Sequence, residues 1–158
     1  MSSQSDDDDL LLLERQLCFA LSVASRSVIG AYRPVLEDLN LTHPQYLVML
    51  ALWERSPRSV RSIGDALAME SATLSPMLKR LETLGLITRT RVPGNERALS
   101  VDLTDAGTDL RERALAVPAT MMERLNLTRA QVDALNEAMH GIIRATGTTL
   151  TTGTAPTP

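Results

Sequence analysis

Several residue types are scarce in this sequence, and each scarcity excludes a class of protein. A single cysteine among 158 residues rules out an intrachain disulfide framework. No apolar run approaches the roughly 18–20 residues that span a membrane, and no basic segment followed by an apolar stretch marks a secretory signal. Aromatic residues form only 3% of a chain that is 44% hydrophobic, so the core must be aliphatic. We expect one cytoplasmic domain that does not associate with membranes.

The sequence also lacks the motifs of metal, phosphate and nucleophile chemistry. The two histidines, His43 and His140, are isolated, and Cys18 has no second cysteine at metal-ligand spacing. There is no Gly-rich phosphate loop and no nucleophile elbow. We therefore expect no metal site, no cofactor and no enzymatic activity.

The charge is distributed unevenly along the chain. Residues 55–97 carry a net charge of +4, although the whole chain carries −3. Such asymmetry is more informative than the sum, because a local basic surface can bind nucleic acid. On charge alone, an ordinary solvated basic face is an equally good interpretation.

Apolar residues recur at helical spacing from Leu10 to Ala31, which predicts a first helix that Pro34 ends or kinks. This helix is apolar on nearly all sides, which favours burial against a second subunit.

Residues 1–9 are acidic and predicted to be disordered, and residues 147–158 are predicted to be a flexible tail. The elements predicted in between are a helix from Thr42, a short helix capped by Ser62 with Asp65, a helix ended by Gly85, strands over 87–91 and 98–103, a helix capped by Thr104 and interrupted by Pro118, and a last helix capped by Thr128.

Two short helices followed by a basic hairpin are the order of a winged helix-turn-helix. The helix "SATLSPMLKRLET" has short polar side chains near its start and leucines on its opposite side, as a helix in a DNA major groove requires. The predicted DNA-binding residues are Ser71, Thr73, Ser75, Lys79 and Arg80 of this helix and Arg89, Arg91 and Arg97 of the hairpin. An amphipathic helix and hairpin with ordinary surface charges is the alternative.

The chain resembles the MarR family of dimeric winged-helix repressors, and more narrowly its organic-hydroperoxide-responsive, OhrR-type branch. The resemblance is carried by "RQLCFAL", "AYRPVLEDLNLTHPQYLVMLALWE", "SATLSPMLKRLETLGLITR", "NERALSVDLT" and "DAGTDLRERA". It implies a mainly α fold with a small β-hairpin wing, an intertwined helical homodimer and a pseudo-palindromic double-stranded operator. The implied domain covers residues 10–146, with dimerisation helices over about 10–40 and 104–146 and a winged helix-turn-helix over about 42–103.

Two departures from the family pattern concern the predicted DNA interface. The arginine that enters the minor groove in the family corresponds to Arg97, but Asn95 stands where the family usually has aspartate. Asn95 can accept a hydrogen bond but offers no carboxylate to Arg97. The recognition helix starts "MESATLSP" where the family often has "LDSGTLTP", so we expect a different operator sequence.

The resemblance gives Cys18 the role of a redox sensor. Peroxides react with thiolate, and an unperturbed thiol offers only a few per cent of it at neutral pH, so a sensor needs hydrogen-bond donors nearby. In the resembled branch two tyrosines donate; one corresponds to Tyr32, and the other falls at His43. Oxidation to the sulfenic acid would lead to a mixed disulfide with a small thiol, a sulfenamide or further oxidation, because no second cysteine is available.

Other interpretations of Cys18 remain open at this point. A lone cysteine in an apolar helix is often a small core residue, and His43 can be an ordinary helix-start residue before Pro44. Cys18 would then be structural, and a small aromatic or phenolic ligand would release the DNA. A thiol peroxidase is the least favoured alternative, because the DNA-reading module fills much of the chain.

Overall fold

The computed structural model describes residues 9–150, which contain seven α-helices and one small sheet. The helices are α1 (Leu17–Glu37), α2 (His43–Glu54), α3 (Val60–Leu67), α4 (Ser71–Thr83), α5 (Asp105–Ala114), α6 (Val117–Leu125) and α7 (Arg129–Ala145), and the strands are β1 (Arg58–Ser59), β2 (Ile87–Val92) and β3 (Asn95–Leu103). The predicted fold class, mainly α with a small β-hairpin, is confirmed. The predictions for residues 1–8 and 151–158 lie outside the described residues.

The sheet is antiparallel, with the strand order β1-β3-β2. β2 and β3 form the predicted hairpin, in which Ile87 pairs with Leu103 and Arg91 with Leu99. The third strand, β1, was not predicted, because two residues are too few to show an alternating pattern. It pairs Arg58 with Val101 and so attaches the segment after α2 to the base of the hairpin.

The core lies where α2, α3, α4 and the sheet meet, and it is aliphatic as predicted. Its fully buried side chains are Leu36, Val48, Met49, Leu52, Ile63, Leu74, Leu78, Leu81, Ile87 and Val101. The apolar stripe of α4 supplies three of them, so this helix turns its other side outward. The core therefore fixes which side of α4 is available to a ligand.

The start of α1 differs from the prediction. The helix begins at Leu17 rather than Leu10, because the Gln16 side chain donates to the carbonyls of Leu10 and Leu12, at 2.6 and 3.1 Å, and holds that segment in a separate turn. Pro34 lies inside α1 and does not end it. The fully buried Leu36 anchors the turn beyond the proline.

The start of α3 also differs from the prediction. Ser59, not Ser62, caps the helix, and its hydroxyl accepts from the Ser62 amide at 3.0 Å. Arg58, counted among the basic residues of the region, is 5% exposed. Its guanidinium donates to the carbonyl of Ala51 at 3.0 Å and to the hydroxyl of Ser62 at 3.1 Å. Arg58 thus ties α2 to α3 and is not available to a ligand.

The first and last helices carry apolar surface that none of the residues 9–150 covers. The exposed large hydrophobic residues of the N-terminal region are Leu10, Leu11, Leu12, Leu13, Leu17, Phe19, Val23 and Ile29. α7 has no buried residue at all, although its sequence is amphipathic. An uncovered apolar surface of this extent marks an interaction site. It lies on the two helices that the sequence assigns to a dimer interface.

Candidate nucleic-acid interface and thiol site

The outward side of α4 presents the residues that the sequence selects for DNA contact. The exposed members of that set are Ser71, Thr73, Ser75, Lys79 and Arg80. Ser71 is the first residue of the helix, and the Ser75 hydroxyl donates to the Ser71 carbonyl at 2.9 Å. Leu74 and Leu78 are buried on the opposite side. The arrangement is that of a helix held by its apolar face with short polar side chains free to reach a groove.

The tip of the hairpin presents Arg97 to solvent. The turn passes through Gly94, whose φ of +83° lies in the left-handed region that favours glycine. Asn95 then accepts a hydrogen bond from the Arg97 backbone amide at 3.3 Å through its side-chain oxygen. Within the described side chains, the Arg97 guanidinium makes no ion pair. Asn95 therefore shapes the turn without neutralising the arginine.

Arg89 occupies a different environment from Arg97. Its guanidinium donates to one carboxylate oxygen of Glu82 at 2.6 and 3.1 Å, which links the end of α4 to β2. The hydrogen bonds from Arg89 hold the pKa of Glu82 below its usual value. Glu82 is therefore ionised at neutral pH, and its contact with Arg89 sets the position of the hairpin relative to α4.

The structure separates the predicted thiol site into two parts. Cys18 is exposed near the start of α1, and Tyr32 lies fourteen residues further along, which is about 21 Å along a helix axis. Tyr32 and His43 are brought together, with their ring centroids 5.1 Å apart. A single chain thus contains both halves of the site at opposite ends of one helix.

Burial sets the protonation states of the Tyr32–His43 pair. It raises the pKa of Tyr32 and lowers the pKa of His43. At pH 7 the tyrosine keeps its hydroxyl proton and the imidazole is neutral with one N–H. Each residue can then donate one hydrogen bond, but His43 supplies no positive charge.

Sequence reasoning missed a contact between α2 and α5. The Trp53 indole N–H donates to the Gly107 carbonyl at 2.8 Å. Tyr46 and Trp53 are seven residues apart on α2, and their ring centroids are 6.4 Å apart. No sequence pattern around Gly107 predicts this hydrogen bond, because it depends on how α5 packs against α2.

Two negative findings apply to residues 9–150. No helix there is both long and apolar enough to cross a membrane. Within the same range, no three His, Cys, Asp or Glu side chains are grouped closely enough to hold a metal ion.

Comparison with known proteins places the chain in a family. The profile of the MarR family matches residues 41–99. The organic hydroperoxide resistance transcriptional regulator of Bacillus subtilis is 40% identical over 135 residues, which cover 85% of this chain and 92% of that protein. The transcriptional regulator TtmR of Methylorubrum extorquens is 42% identical over 84% of this chain and 68% of its own length.

Solved structures of AbfR from Staphylococcus epidermidis give the same assignment. The reduced protein bound to DNA is 32% identical and superposes with a TM-score of 0.74, covering 88% of this chain and 97% of that one. The disulfide form superposes less well, with a TM-score of 0.62, 33% identity and coverage of 89% and 99%. The relatives are transcriptional regulators rather than enzymes, and this chain belongs to the MarR family.

Proposed function

We propose that this regulator binds a pseudo-palindromic operator as a homodimer, acts as a repressor in the cytoplasm, and is released when an organic hydroperoxide oxidises Cys18. One observation carries the redox part of the proposal. The only cysteine is exposed on the uncovered apolar helix, while the Tyr32–His43 pair lies at the other end of that helix. The Bacillus subtilis relative is a regulator of organic hydroperoxide resistance, which supports the choice of oxidant.

A second copy of the chain would complete the thiol site. If two α1 helices pack antiparallel along their uncovered faces, Cys18 of one subunit approaches Tyr32 of the partner subunit. The apolar residues near Cys18, among them Leu17 and Phe19, would be buried by the same contact. Oxidation would therefore change the interface itself, and with it the separation of the two DNA-reading heads.

The chemistry follows from the residues assembled in this way. The Cys18 thiolate attacks one peroxide oxygen; the O–O bond breaks, sulfur is oxidised to the sulfenic acid, and the hydroperoxide is reduced to an alcohol that takes up a proton. A small cellular thiol can then displace water to form a mixed disulfide. The tyrosine hydroxyl and the neutral imidazole would stabilise the attacking thiolate by donating hydrogen bonds.

The test of this function is operator binding with and without oxidant. The probe is a duplex selected from a random-sequence library with the reduced wild-type protein. Cumene hydroperoxide plus a small thiol should weaken wild-type binding by roughly 5- to 150-fold, the usual size of an allosteric coupling. Cys18→Ser should bind the same duplex and keep its affinity after treatment. Equal release of both proteins, or of neither, would contradict the redox mechanism.

The role of His43 can be tested by the rate of sulfenic acid formation, trapped with dimedone. A hydrogen bond to a charged group contributes about 1.5–3 kcal/mol, so His43→Phe should slow oxidation by about tenfold or more. His43→Tyr, which restores a donor, should react at close to the wild-type rate.

Because the pKa of His43 is lowered from 6.5, the imidazole stays neutral above that pH. The wild-type rate should then show no decrease between pH 6.5 and 8, because the imidazole keeps one protonation state over that range.

The result for His43→Phe separates two roles of the imidazole. An unchanged rate would show that His43 points away from the thiol and that Tyr32 acts alone. A rate that fell between pH 6.5 and 8 would show that the protonated imidazole, not the neutral one, supports the thiolate.

A cleft favours one alternative, release by a small ligand. It has a volume of about 640 Å³ and lies between the end of α1 and the α5–α6 region. Its apolar walls include Pro34, Val35, Leu39 and Val117, and its charged lining residues are Asp38, Arg113 and Arg124, a net positive set. Such a volume and lining suit an aromatic carboxylate. Release of the selected duplex by benzoate without oxidant, in wild type and Cys18→Ser alike, would establish this alternative.

A further inference from the structure

Three of the chain's four aromatic residues and His43 form one continuous group, called here the aromatic column. Tyr32 contacts His43 at one end and Tyr46 at a centroid distance of 6.1 Å. Tyr46 contacts Trp53 at 6.4 Å. These separations are those of interacting aromatic pairs. In a chain so poor in aromatics, the column connects the Tyr32–His43 pair to the far end of α2.

The far end of the aromatic column is attached to α5. The Trp53 indole N–H donates to the Gly107 carbonyl at 2.8 Å, across 54 positions of sequence. Trp53 is only partly buried, and Gly107 is buried. The bond therefore joins the second helix to the helix that follows the wing.

Gly107 lies against the joint between the recognition helix α4 and the wing. A Cβ at this position would lie 2.0 Å from the Leu86 carbonyl oxygen. The same carbonyl accepts from the Thr104 backbone amide at 3.1 Å. Leu86 is in the short connection between α4 and β2. A displacement of Gly107 cannot occur without moving this connection or opening the contact.

We propose that the aromatic column transmits the state of the thiol site to the joint between α4 and the wing, and that Trp53 is the positioning residue for that transmission. The inference rests on the proposed function. Bulk added to Cys18 of one subunit would press on Tyr32 of the partner subunit. Since packed interiors respond by discrete rearrangement rather than by yielding, Tyr46 and Trp53 would shift with it. Through its hydrogen bond, the indole would then displace Gly107, or the hydrogen bond would break.

The test compares wild type with Trp53→Phe, which keeps a ring in place and removes the N–H. Affinity for the selected duplex is measured on the full-length dimer before and after cumene hydroperoxide plus small thiol. Reduced Trp53→Phe should bind within about threefold of wild type, and dimedone should trap Cys18 at the wild-type rate. Its loss of affinity on oxidation should fall below about threefold, against the roughly 5- to 150-fold expected of the wild type.

Thr108→Val is the matched control. Thr108 is exposed in the first turn of α5, where its hydroxyl donates to the Thr104 carbonyl at 3.1 Å. This substitution removes one hydrogen bond from the same helix start without touching the aromatic column or the α4–β2 connection, so its oxidative release should stay at the wild-type size. If Thr108→Val lost the response as Trp53→Phe does, general loosening would be the cause and the inference would be overturned.

Fluorescence provides a second measurement that needs no substitution in the aromatic column. Trp53 is the only tryptophan, so emission reports on the aromatic column alone. Oxidation should change the emission of wild type and leave Cys18→Ser unchanged. Wild type that releases DNA with unaltered emission, or Trp53→Phe that releases as wild type does, overturns this inference and leaves the proposed function standing. Wild type that keeps its affinity after oxidation overturns both.

Discussion

Replacing Arg97 with alanine is expected to weaken operator binding by about 30-fold to more than 10,000-fold. One specific arginine contact contributes about 1–3 kcal/mol to DNA binding, and a homodimer would place two wings on the DNA, for a total of about 2–6 kcal/mol. Arg97 is exposed at the wing tip, where the turn at Gly94 and the Asn95 side chain fix the backbone around it. Fluorescence anisotropy on the selected duplex measures the effect.

Two further variants separate the kinds of DNA contact proposed for Arg97. Arg97→Lys keeps the charge but loses the planar guanidinium, so it should restore the salt dependence of binding but not the full affinity. Arg129→Ala removes the same charge from α7, where Arg129 pairs with Asp133 at 3.0 Å, and should change affinity by less than about threefold. Equal losses for the two alanine variants would mean that the wing contributes only general positive charge.

Elements with a clear periodic pattern could be predicted from the sequence. The leucine stripe of α4 and the alternation of β2 and β3 gave the recognition helix and the hairpin, because each element buries one face in the core. The errors lie where side chains compete with the periodic pattern. The Gln16 side chain donates to the carbonyls of Leu10 and Leu12, so α1 begins later in the sequence than the pattern predicts. The Ser59 side chain caps α3, so this helix begins one turn before Ser62.

The residues of the candidate site could be predicted from the sequence, but the contacts and distances between them could not. Both Arg89 and Arg97 are basic residues of the hairpin, and the sequence does not distinguish them. In the structure Arg89 forms an ion pair with Glu82, whereas Arg97 forms none among the described side chains. Spacing along α1 already separates Cys18 from Tyr32 within one chain. The approach of α5 to α2 is a tertiary event, so no local pattern could reveal that Trp53 binds Gly107.

Gly107→Ala is expected to lower the free energy of unfolding by about 3 kcal/mol or more, at the upper end of what overpacking costs. Within a helix, alanine is normally favoured over glycine by about 0.5–1 kcal/mol. At Gly107, however, the new Cβ would lie 2.0 Å from the Leu86 backbone oxygen, which no side-chain rotation can relieve. α5 must move away from the α4–β2 connection, and both the Trp53 and the Thr104 contacts are strained by that movement. Urea denaturation at a fixed protein concentration measures the loss.

Gly141→Ala is the control because it makes the same change at a helix position where the chain's own backbone does not block the added Cβ. There the nearest heavy atom to the added Cβ is a guanidinium nitrogen of Arg144 at 4.0 Å, at the end of a flexible side chain. Helix propensity should then prevail and raise stability by up to about 1 kcal/mol. Opposite signs at the two glycines would show that the contact with Leu86, rather than helix propensity, decides the outcome at Gly107. If Gly107→Ala were as stable as wild type, α5 could separate from Leu86 at no cost. A movement of α5 would then not displace the α4–β2 connection, and the wing would stay in place.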